Sequence, residues 1–244
     1  MLIKNYIKIL SYLISIIDYS NKQRIINFFR KIYHKKSLIV VDIGAHKGET
    51  IKLFLKNFQI KRIFAFEANF KMFQIIKKKF LDNKIVIYNI ALGSHNTHKY
   101  FNIIKDSSSS TFNEINFESL YYLRKIKYLA FFKKKFDLID KKILTQIKPL
   151  KEFNEIFQFN YIDILKIDTE GYELNILKGL NSEDLKKIRF IYLEHHYDLM
   201  IKKDYKFKDL KKFLDKNNFI LKFKIKMKFR KTFEYIYENN KFLS

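Results

Sequence analysis

Residues 38–50 constrain the fold of this chain more than any other stretch. The stretch opens with residues 38–43, a short apolar run rich in β-branched side chains and without helical periodicity. Such a run is typical of a strand that is buried on both faces of a parallel sheet. Gly44 and Gly48 follow, and apolar residues at helical spacing begin at Ile51. A strand, a glycine turn and a helix together let a ligand approach bare backbone at the N-terminus of the helix.

Similar strand-like runs recur along the chain and alternate with segments of helical spacing. The further runs cover residues 63–66, 85–88, 162–167 and 189–194. Residues 219–229 and 232–238 alternate apolar and polar side chains, which predicts an antiparallel pair at the end of the sheet. The alternation of strands and helices predicts an α/β fold with a doubly wound, mainly parallel sheet and a C-terminal antiparallel hairpin.

Acidic residues and glycines fall at the predicted carboxyl ends of the strands, where ligands bind in such sheets. These ends carry Asp42 and Gly44, Glu67, Ala91 and Gly93, Asp168 and Glu170, and Glu194 and His195. Asp42 and the glycine loop are predicted to hold the polar end of a cofactor. Glu67 follows at the next strand end and is predicted to accept hydrogen bonds from a ribose diol.

The spacing of the glycines separates two kinds of nucleotide cofactor. NAD binding favours Gly-x-Gly-x-x-Gly, whereas this chain has Gly-x-x-x-Gly from Gly44 to Gly48. The looser loop suits a ligand that has an adenosine but no pyrophosphate. S-adenosylmethionine fits this description, because it joins an adenosine to an amino acid and carries no phosphate.

The composition bounds the partners of the chain. The 244 residues contain no cysteine, which excludes a disulfide framework and fits a reducing compartment such as the cytoplasm. The net charge of +24 suggests a polyanionic partner, either nucleic acid or an anionic membrane. Compositional bias is the favoured explanation, because the lysines are spread over the whole chain.

Two segments stand apart from the alternating pattern. The pattern of residues 1–36 predicts amphipathic helices at 2–17 and 22–33. Their apolar stretches are too short and too interrupted by polar residues to span a membrane. We expect these helices to pack on the main domain, residues 37–244; the alternative is a peripheral contact with an anionic membrane, or a cap over the substrate. Residues 106–148 are interpreted as an insertion or lid, and residues 113–148 within it have helical spacing in places. The serine run at 107–110 is either a plain loop or a substrate-side wall.

Several blocks together resemble the FkbM family of S-adenosylmethionine-dependent methyltransferases. They are Val41-Asp42-Ile43-Gly44-Ala45-His46-Lys47-Gly48, Phe64-Ala65-Phe66-Glu67-Ala68-Asn69, Ala91-Leu92-Gly93, Tyr192-Leu193-Glu194-His195-His196 and, most specifically, Leu165-Lys166-Ile167-Asp168-Thr169-Glu170-Gly171-Tyr172-Glu173. The resemblance covers residues 38–198 in order and spacing. His46 stands where Asn is common in the family, and Ala68 stands where Pro is common.

The resemblance implies a seven-stranded methyltransferase fold and O-methylation, often of a sugar hydroxyl in a glycan or its precursor. The residues expected at the cofactor are then Asp42, Gly44, Ala45, His46, Gly48, Glu67, Ala68 and Ala91. For His46, a position on the surface is an equally open interpretation.

Methyl transfer to a hydroxyl is helped by a base that removes the hydroxyl proton. Asp168 is the first candidate for this base or for orienting the acceptor, followed by Glu170 and His195. The same three side chains are the predicted ligands if the enzyme uses a divalent cation. Alternatively, Asp168 and Glu170 cap the following helix, because acidic side chains interact favourably with the positive end of a helix dipole. Because His195 and His196 are adjacent, at most one of them is expected to face the site.

The sequence thus predicts a cytoplasmic O-methyltransferase that acts on a carbohydrate, with peripheral association at the inner membrane left open. One rival is a nucleic-acid (RNA) methyltransferase, which the positive charge favours. The acidic sequence Asp168-Thr169-Glu170-Gly171 at the strand end suits a hydroxyl acceptor better than a nucleic-acid base, which has phosphates beside it. Nucleic acid is therefore the less favoured substrate. The other rival is a non-catalytic membrane-surface protein that keeps only the fold.

Overall fold

A computed structural model of the chain describes residues 19–104, 109–129, 139–228 and 230–243. Its central sheet has seven strands: β1 (Ser37–Ile43), β2 (Gln59–Phe66), β3 (Ile85–Tyr88), β8 (Ile162–Ile167), β9 (Ile188–His196), β11 (Phe219–Lys226) and β12 (Thr232–Asn239). They lie side by side in the order β11-β12-β9-β8-β1-β2-β3. Strand β12 is antiparallel to both of its neighbours, β11 and β9, and the remaining pairs of neighbouring strands are parallel. The predicted doubly wound, mainly parallel sheet with an antiparallel C-terminal hairpin is confirmed.

Helices cover both faces of this sheet because its central strands are apolar on both faces. They are α1 (residues 19–32), α2 (Glu49–Asn57), α3 (Phe70–Lys79), α5 (Asn154–Phe157), α6 (Glu173–Leu177), α7 (Ser182–Lys187) and α8 (Phe207–Lys216). A further helix, α4 (Leu120–Leu129), packs against a separate small core that contains Ile115 and Met200. Val40 and Val41 belong to different buried clusters, as expected for neighbours in a strand. Asn69 caps the N-terminus of α3 and accepts hydrogen bonds from the backbone N–H groups of Lys71 and Met72.

Helix α1 packs against the sheet. Its Ile25 and Phe29 are buried in the same cluster as Val40 and Phe190, and the ring of Phe29 meets that of Phe190 edge to face at 5.6 Å. Burying a side chain of this size stabilises the fold by about 1.5–3 kcal/mol. For this helix, packing on the main domain is therefore observed. The helix predicted at residues 2–17 lies outside the described residues.

Two smaller sheets lie beside the central one. The first contains β4 (Ala91–Leu92), β7 (Ile139–Lys148) and β5 (Thr97–Ile104), and the second contains β6 (Glu114–Ile115) and β10 (Ile201–Lys202). Strand β7 was not expected, because the sequence analysis assigned helical spacing to parts of residues 113–148. Its antiparallel pairing with β5 extends from Thr97↔Ile147 to Ile104↔Ile139. This long-range pairing decides the local structure, as is common for half-exposed strands.

Within the part of the chain that the structure describes, no helix combines the length and the apolar character needed to cross a membrane.

Candidate active site

The glycine loop after β1 is fixed between the tips of two strands. The N–H groups of Gly44 and Ala45 both donate to the carbonyl of Phe66, at 2.9 and 3.0 Å. Gly44 has a φ of +83°, and a Cβ there would lie 1.9 Å from the carbonyl oxygen of Asp168. Only glycine permits both this conformation and this close approach. The loop therefore joins the end of β2 to the end of β8.

Glu67 extends from the end of β2 under the same loop. Its side-chain oxygens accept the backbone N–H groups of His46 and Asn69, each at 2.7 Å. Burial raises the pKa of this carboxyl, and the hydrogen bonds from Asn69 and His46 oppose that effect. Each carboxylate oxygen has two lone pairs, so Glu67 can accept further hydrogen bonds from a ligand.

A cleft opens at these strand ends and holds about 580 Å³ of space between atoms, including its open mouth. Apolar side chains supply much of its wall. They come from the ends of β1, β2 and β4, from β5, from the segment after β5 and from the turn after β8: Ile43, Phe66, Ile90, Leu92, Phe101, Phe112 and Tyr172. The polar lining includes His46, Glu67, Ser110, Asp168, Thr169 and Glu170. The arrangement of an apolar wall with a few convergent polar groups is typical of small-molecule sites.

The turn after β8 is held in an unusual backbone conformation. Glu170 has a positive φ of 54°, and its carbonyl accepts a hydrogen bond from the Thr111 hydroxyl at 2.8 Å. The next carbonyl, of Gly171, accepts a hydrogen bond from the Asn113 side chain at 2.7 Å. On the other side, the buried Glu173 carboxylate accepts the Gly171 N–H at 2.9 Å and a hydrogen bond from the Tyr205 hydroxyl. These four contacts offset the strain of the turn and orient Glu170.

A buried lysine lies beneath the turn. Lys166, in β8, places its Nζ 3.0 Å from Oδ2 of Asp168 and 3.7 Å from Oδ1 of Asp42. Burial acts to lower the pKa of Lys166, but Asp168 and Asp42 outweigh it and hold the pKa above its usual value. Burial raises the pKa of Asp42 to about 6 against the attraction of Lys166. The lysine therefore stays charged and stabilises the ionised form of Asp42.

A second charged cluster surrounds His196 at the end of β9. Its Nε2 lies 3.3 Å from Glu170 and 3.2 Å from Glu194, and its Nδ1 lies 3.5 Å from Asp198 and 3.0 Å from the Thr232 hydroxyl. Burial acts to lower the pKa of His196, but Glu170 and the other carboxylates raise it well above its usual value. His196 is therefore an imidazolium at neutral pH, and it ties Glu170 to β9.

This cluster predicts a loss of stability at alkaline pH. The charged form of His196 contributes in full below its unfolded-state pKa of about 6.5, and that contribution is lost as the pH rises through the higher folded-state value. Burial and Glu194 raise the pKa of Glu234 to about 8, so its ionisation acts in the same direction. We expect the free energy of unfolding in urea to fall between about pH 6.5 and pH 9, and to fall less steeply in His196→Asn. Equal slopes for the two proteins would contradict the assignment.

The structure brings most of the predicted site residues to the cleft. Lining it are Gly44, His46, Glu67, Ala68, Ala91, Asp168 and Glu170. Ala45 and Gly48 do not line the cleft. Ala45 is buried in the cluster that contains Val40 and Phe29, and a Cβ on Gly48 would meet the ring of Phe80. Asp42 is fully buried beside Lys166, because Ile43 takes the cleft-facing position and neighbours in a strand point to opposite faces.

His195 does not join Glu170. It is buried against the rings of Tyr197 and Phe207, at 4.8 and 5.0 Å, and burial lowers its pKa to about 3. The adjacent His196 occupies the position by Glu170 that the sequence analysis expected for His195. Because β9 continues through His196, the register of the strand decides which histidine faces the site.

The sequence predicts Glu194 at a ligand-binding strand end but gives no role to it, nor to Lys166, Glu173 or His196. A signal existed for Lys166, which lies two residues before Asp168 and so on the same face of β8. The predicted trio of Asp168, Glu170 and His195 is not assembled, and no group of three or more His, Cys, Asp or Glu residues in the described ranges is arranged to hold a metal ion.

The fold and the cleft define a class of protein, the methyltransferases with a seven-stranded α/β fold. The chain belongs to the FkbM methyltransferase family, since the family model described as the Methyltransferase FkbM domain matches residues 42–221. The predicted family and its cofactor, S-adenosylmethionine, are confirmed. No curated protein matches the chain.

Solved structures share this fold at low sequence identity. The methyltransferase FkbM of Methylobacillus flagellatus is 14% identical, with a TM-score of 0.51 over 83% of this chain and 43% of that one. The chain thus spans less than half the length of that relative. TrmK of M. capricolum with S-adenosylhomocysteine is 16% identical, with a TM-score of 0.45 over 88% and 68% of the two chains. Magnesium protoporphyrin IX methyltransferase of Synechocystis with S-adenosylhomocysteine is 11% identical, with a TM-score of 0.46 over 92% and 83%.

The cleft fits the cofactor of this family. Glu67 offers carboxylate oxygens suited to the ribose hydroxyls, and Ile90 and Leu92 offer apolar surface suited to adenine. The hydroxyl oxygen of Thr169 is buried there without a hydrogen-bond partner among the described residues, which leaves it available to a ligand. The acidic turn at Asp168 and Glu170 suits the positive charge of the sulfonium and amino groups.

Proposed function

We propose that the protein is a cytoplasmic S-adenosylmethionine-dependent O-methyltransferase that methylates a sugar hydroxyl of a glycan or glycan precursor. The observation that carries the proposal is that Glu67, Asp168 and Glu170 line the same cleft. Glu67 is suited to the ribose of the cofactor, and Asp168 and Glu170 are suited to the hydroxyl groups of the acceptor. The absence of cysteine from the 244 residues supports a reducing compartment.

In the proposed cofactor site, Gly44 and His46 supply backbone at the end of β1, Glu67 accepts the ribose hydroxyls, and Ala68 and Ala91 border the base. Gly48 keeps the loop in its conformation, because it too has a positive φ, of +74°. Ala45 and Asp42 support the loop from below. When bound, S-adenosylmethionine supplies an electrophilic methyl group on a positively charged sulfur.

In the proposed reaction, Asp168 accepts the proton of the acceptor hydroxyl and so raises the nucleophilicity of its oxygen. Lys166, 3.0 Å away, donates a hydrogen bond to the Asp168 carboxylate and orients it. Glu170 accepts hydrogen bonds from neighbouring hydroxyls of the sugar and aligns the reacting oxygen. His196 holds Glu170 in place at 3.3 Å.

The acidity of the cleft supports a sugar acceptor over RNA. Three carboxylates, those of Glu67, Asp168 and Glu170, line the cleft, and no lysine or arginine of the described residues lines it. The excess of negative charge repels a phosphate near the reaction centre, whereas carboxylates are good acceptors for hydroxyl donors. The net charge of +24 favours the alternative, an RNA methyltransferase, and a salt-dependent gel shift with RNA would support it.

We also propose that the described parts of residues 106–148 form a wall or lid on the acceptor side. Ser110 and Phe112 line the cleft, and the Thr111 hydroxyl bonds to the turn that carries Glu170. The segment is therefore in direct contact with the proposed catalytic turn. Ser107 and Ser108 of the serine run lie outside the described residues.

Substitution of Glu67 tests the cofactor site. We expect Glu67→Gln to weaken the binding of S-adenosylhomocysteine, measured by isothermal titration, by roughly 10- to 100-fold, because hydrogen bonds to a charged group contribute about 1.5–3 kcal/mol. Unchanged affinity would remove Glu67 from the proposed site. No binding by the wild-type protein would remove the proposed function as a whole.

The matched control is Glu118→Gln, which changes an exposed glutamate outside the cleft. It should leave the affinity unchanged. Thermal unfolding of both variants separates a loss of binding from a loss of folding, since Glu67 also accepts two backbone N–H groups.

A further inference from the structure

Four large apolar side chains are exposed together on one side of the molecule, and we call them the apolar patch. They are Phe117, 51% exposed, Leu120, 72%, Leu123, 51%, and Leu199, 75%. The two segments that carry them are joined by a hydrogen bond from the N–H of Asn116 to the carbonyl of Met200, at 2.7 Å. Phe117 and Leu199 each neighbour one end of this bond, and Leu120 and Leu123 lie on the helix that begins three residues after Phe117.

The patch is distinct from the face by which α4 packs on the protein. Tyr122 and Ile126 of this helix pack against the small core of Ile115 and Met200. Leu120 and Leu123, three residues apart, lie on a different part of the helix surface and remain exposed. Helix α4 thus has an apolar surface beyond what its own packing requires.

Basic residues accompany the apolar patch. Arg124 and Lys127 are exposed on α4, one turn from Leu120 and Leu123 respectively. Glu118 is also exposed nearby, but the chain as a whole carries a net charge of +24. Exposed leucines next to arginine and lysine on one helix are typical of a segment that lies in a membrane interface and contacts anionic headgroups.

The patch is connected to the candidate active site. Strand β6, just before Phe117, pairs with β10. A Cβ on Gly171 of the catalytic turn would lie 2.8 Å from the Asn113 side chain and 3.3 Å from Ile201 of β10. One pair of short strands therefore separates the turn from the patch.

We propose that the apolar patch, with Arg124 and Lys127, docks on the surface of a bilayer that contains anionic lipid. Leu120, Leu123, Phe117 and Leu199 enter the headgroup boundary, and the two basic side chains contact lipid phosphates. Docking in this way holds the cleft close to the membrane. The patch contains none of residues 1–36, and its docking does not depend on the identity of the methyl acceptor.

Vesicle flotation with the full chain tests the proposal. One set of vesicles contains phosphatidylcholine alone, and the other also contains phosphatidylglycerol. We expect the wild-type protein to bind the anionic vesicles and Leu120→Gln/Leu123→Gln to bind them at least about tenfold less, because the buried apolar area is lost. Glutamine keeps the helix propensity of leucine, so α4 should be retained.

Two further variants make the outcome decisive. Leu81→Gln changes a leucine that is 86% exposed elsewhere and should bind as the wild type does. Arg124→Glu/Lys127→Glu should lose binding to the anionic vesicles. Binding by the double leucine variant at the wild-type level would overturn the proposal. So would a wild-type dimer in light scattering that becomes monomeric in this variant without a change in vesicle binding, since the patch would then contact a second copy.

Discussion

Replacing Asp168 with Asn is expected to lower methyl transfer by about 10²- to 10⁴-fold, the range typical of a lost general base. The amide has nearly the same shape as the carboxylate but cannot take up the hydroxyl proton. Asp168 lines the cleft and is held by Lys166 at 3.0 Å, so its position is defined before substrate binds. The measurement is transfer of a labelled methyl group from S-adenosylmethionine into the acceptor fraction of a lysate of the source cell.

The affinity for S-adenosylhomocysteine separates a catalytic role of Asp168 from a structural one. We expect the Asn variant to bind it within about threefold of wild type, a difference of less than about 0.7 kcal/mol. Asp140→Asn, an exposed change outside the cleft, serves as the matched control and should retain full transfer. Turnover near the wild-type rate in Asp168→Asn would eliminate Asp168 as the base.

Replacing Lys166 with Met is expected to destabilise the protein by about 3–5 kcal/mol, because removing one partner of a buried ion pair leaves the other charge uncompensated. Methionine fills a similar volume but provides no ammonium group for Asp42, which is fully buried, or for Asp168. The free energy of unfolding in urea at neutral pH gives the measurement.

A second substitution identifies the cause of this loss. In Lys166→Met/Asp42→Asn the buried negative charge is removed as well, so we expect much of the lost stability to return. Lys212→Met, an exposed change on α8, controls for the loss of a lysine and should alter stability by less than about 0.5 kcal/mol. A loss of under about 1 kcal/mol in Lys166→Met would contradict the account of a buried charge network.

Much of the fold could be predicted because its signals are local. Residues 38–50 contain a buried strand, two glycines and the start of a helix, and they form these elements in the structure. In a parallel sheet, consecutive strands bring their carboxyl ends to one edge, so Glu67 and Asp168 could be assigned to a shared cleft from their positions alone.

The errors and omissions concern side-chain direction and long-range pairing. The expected partner of Glu170 was His195, whereas the register of β9 turns His196 toward Glu170 and His195 toward the rings of Tyr197 and Phe207. A shift of one residue in register exchanges the two faces of a strand, and the sequence does not mark that register. Strand β7 escaped prediction because its partner, β5, is distant in the chain.

The strands of the central sheet, the glycine loop and the acidic strand ends follow from the sequence, because each depends on neighbouring residues. Which charged side chains meet depends on the folded chain. Lys166 joins Asp42 to Asp168 because β8 pairs with β1, and His196 joins Glu170 to Asp198 because the turn after β8 folds over the end of β9. Such contacts depend on pairing between distant strands, and no local pattern of residues encodes it.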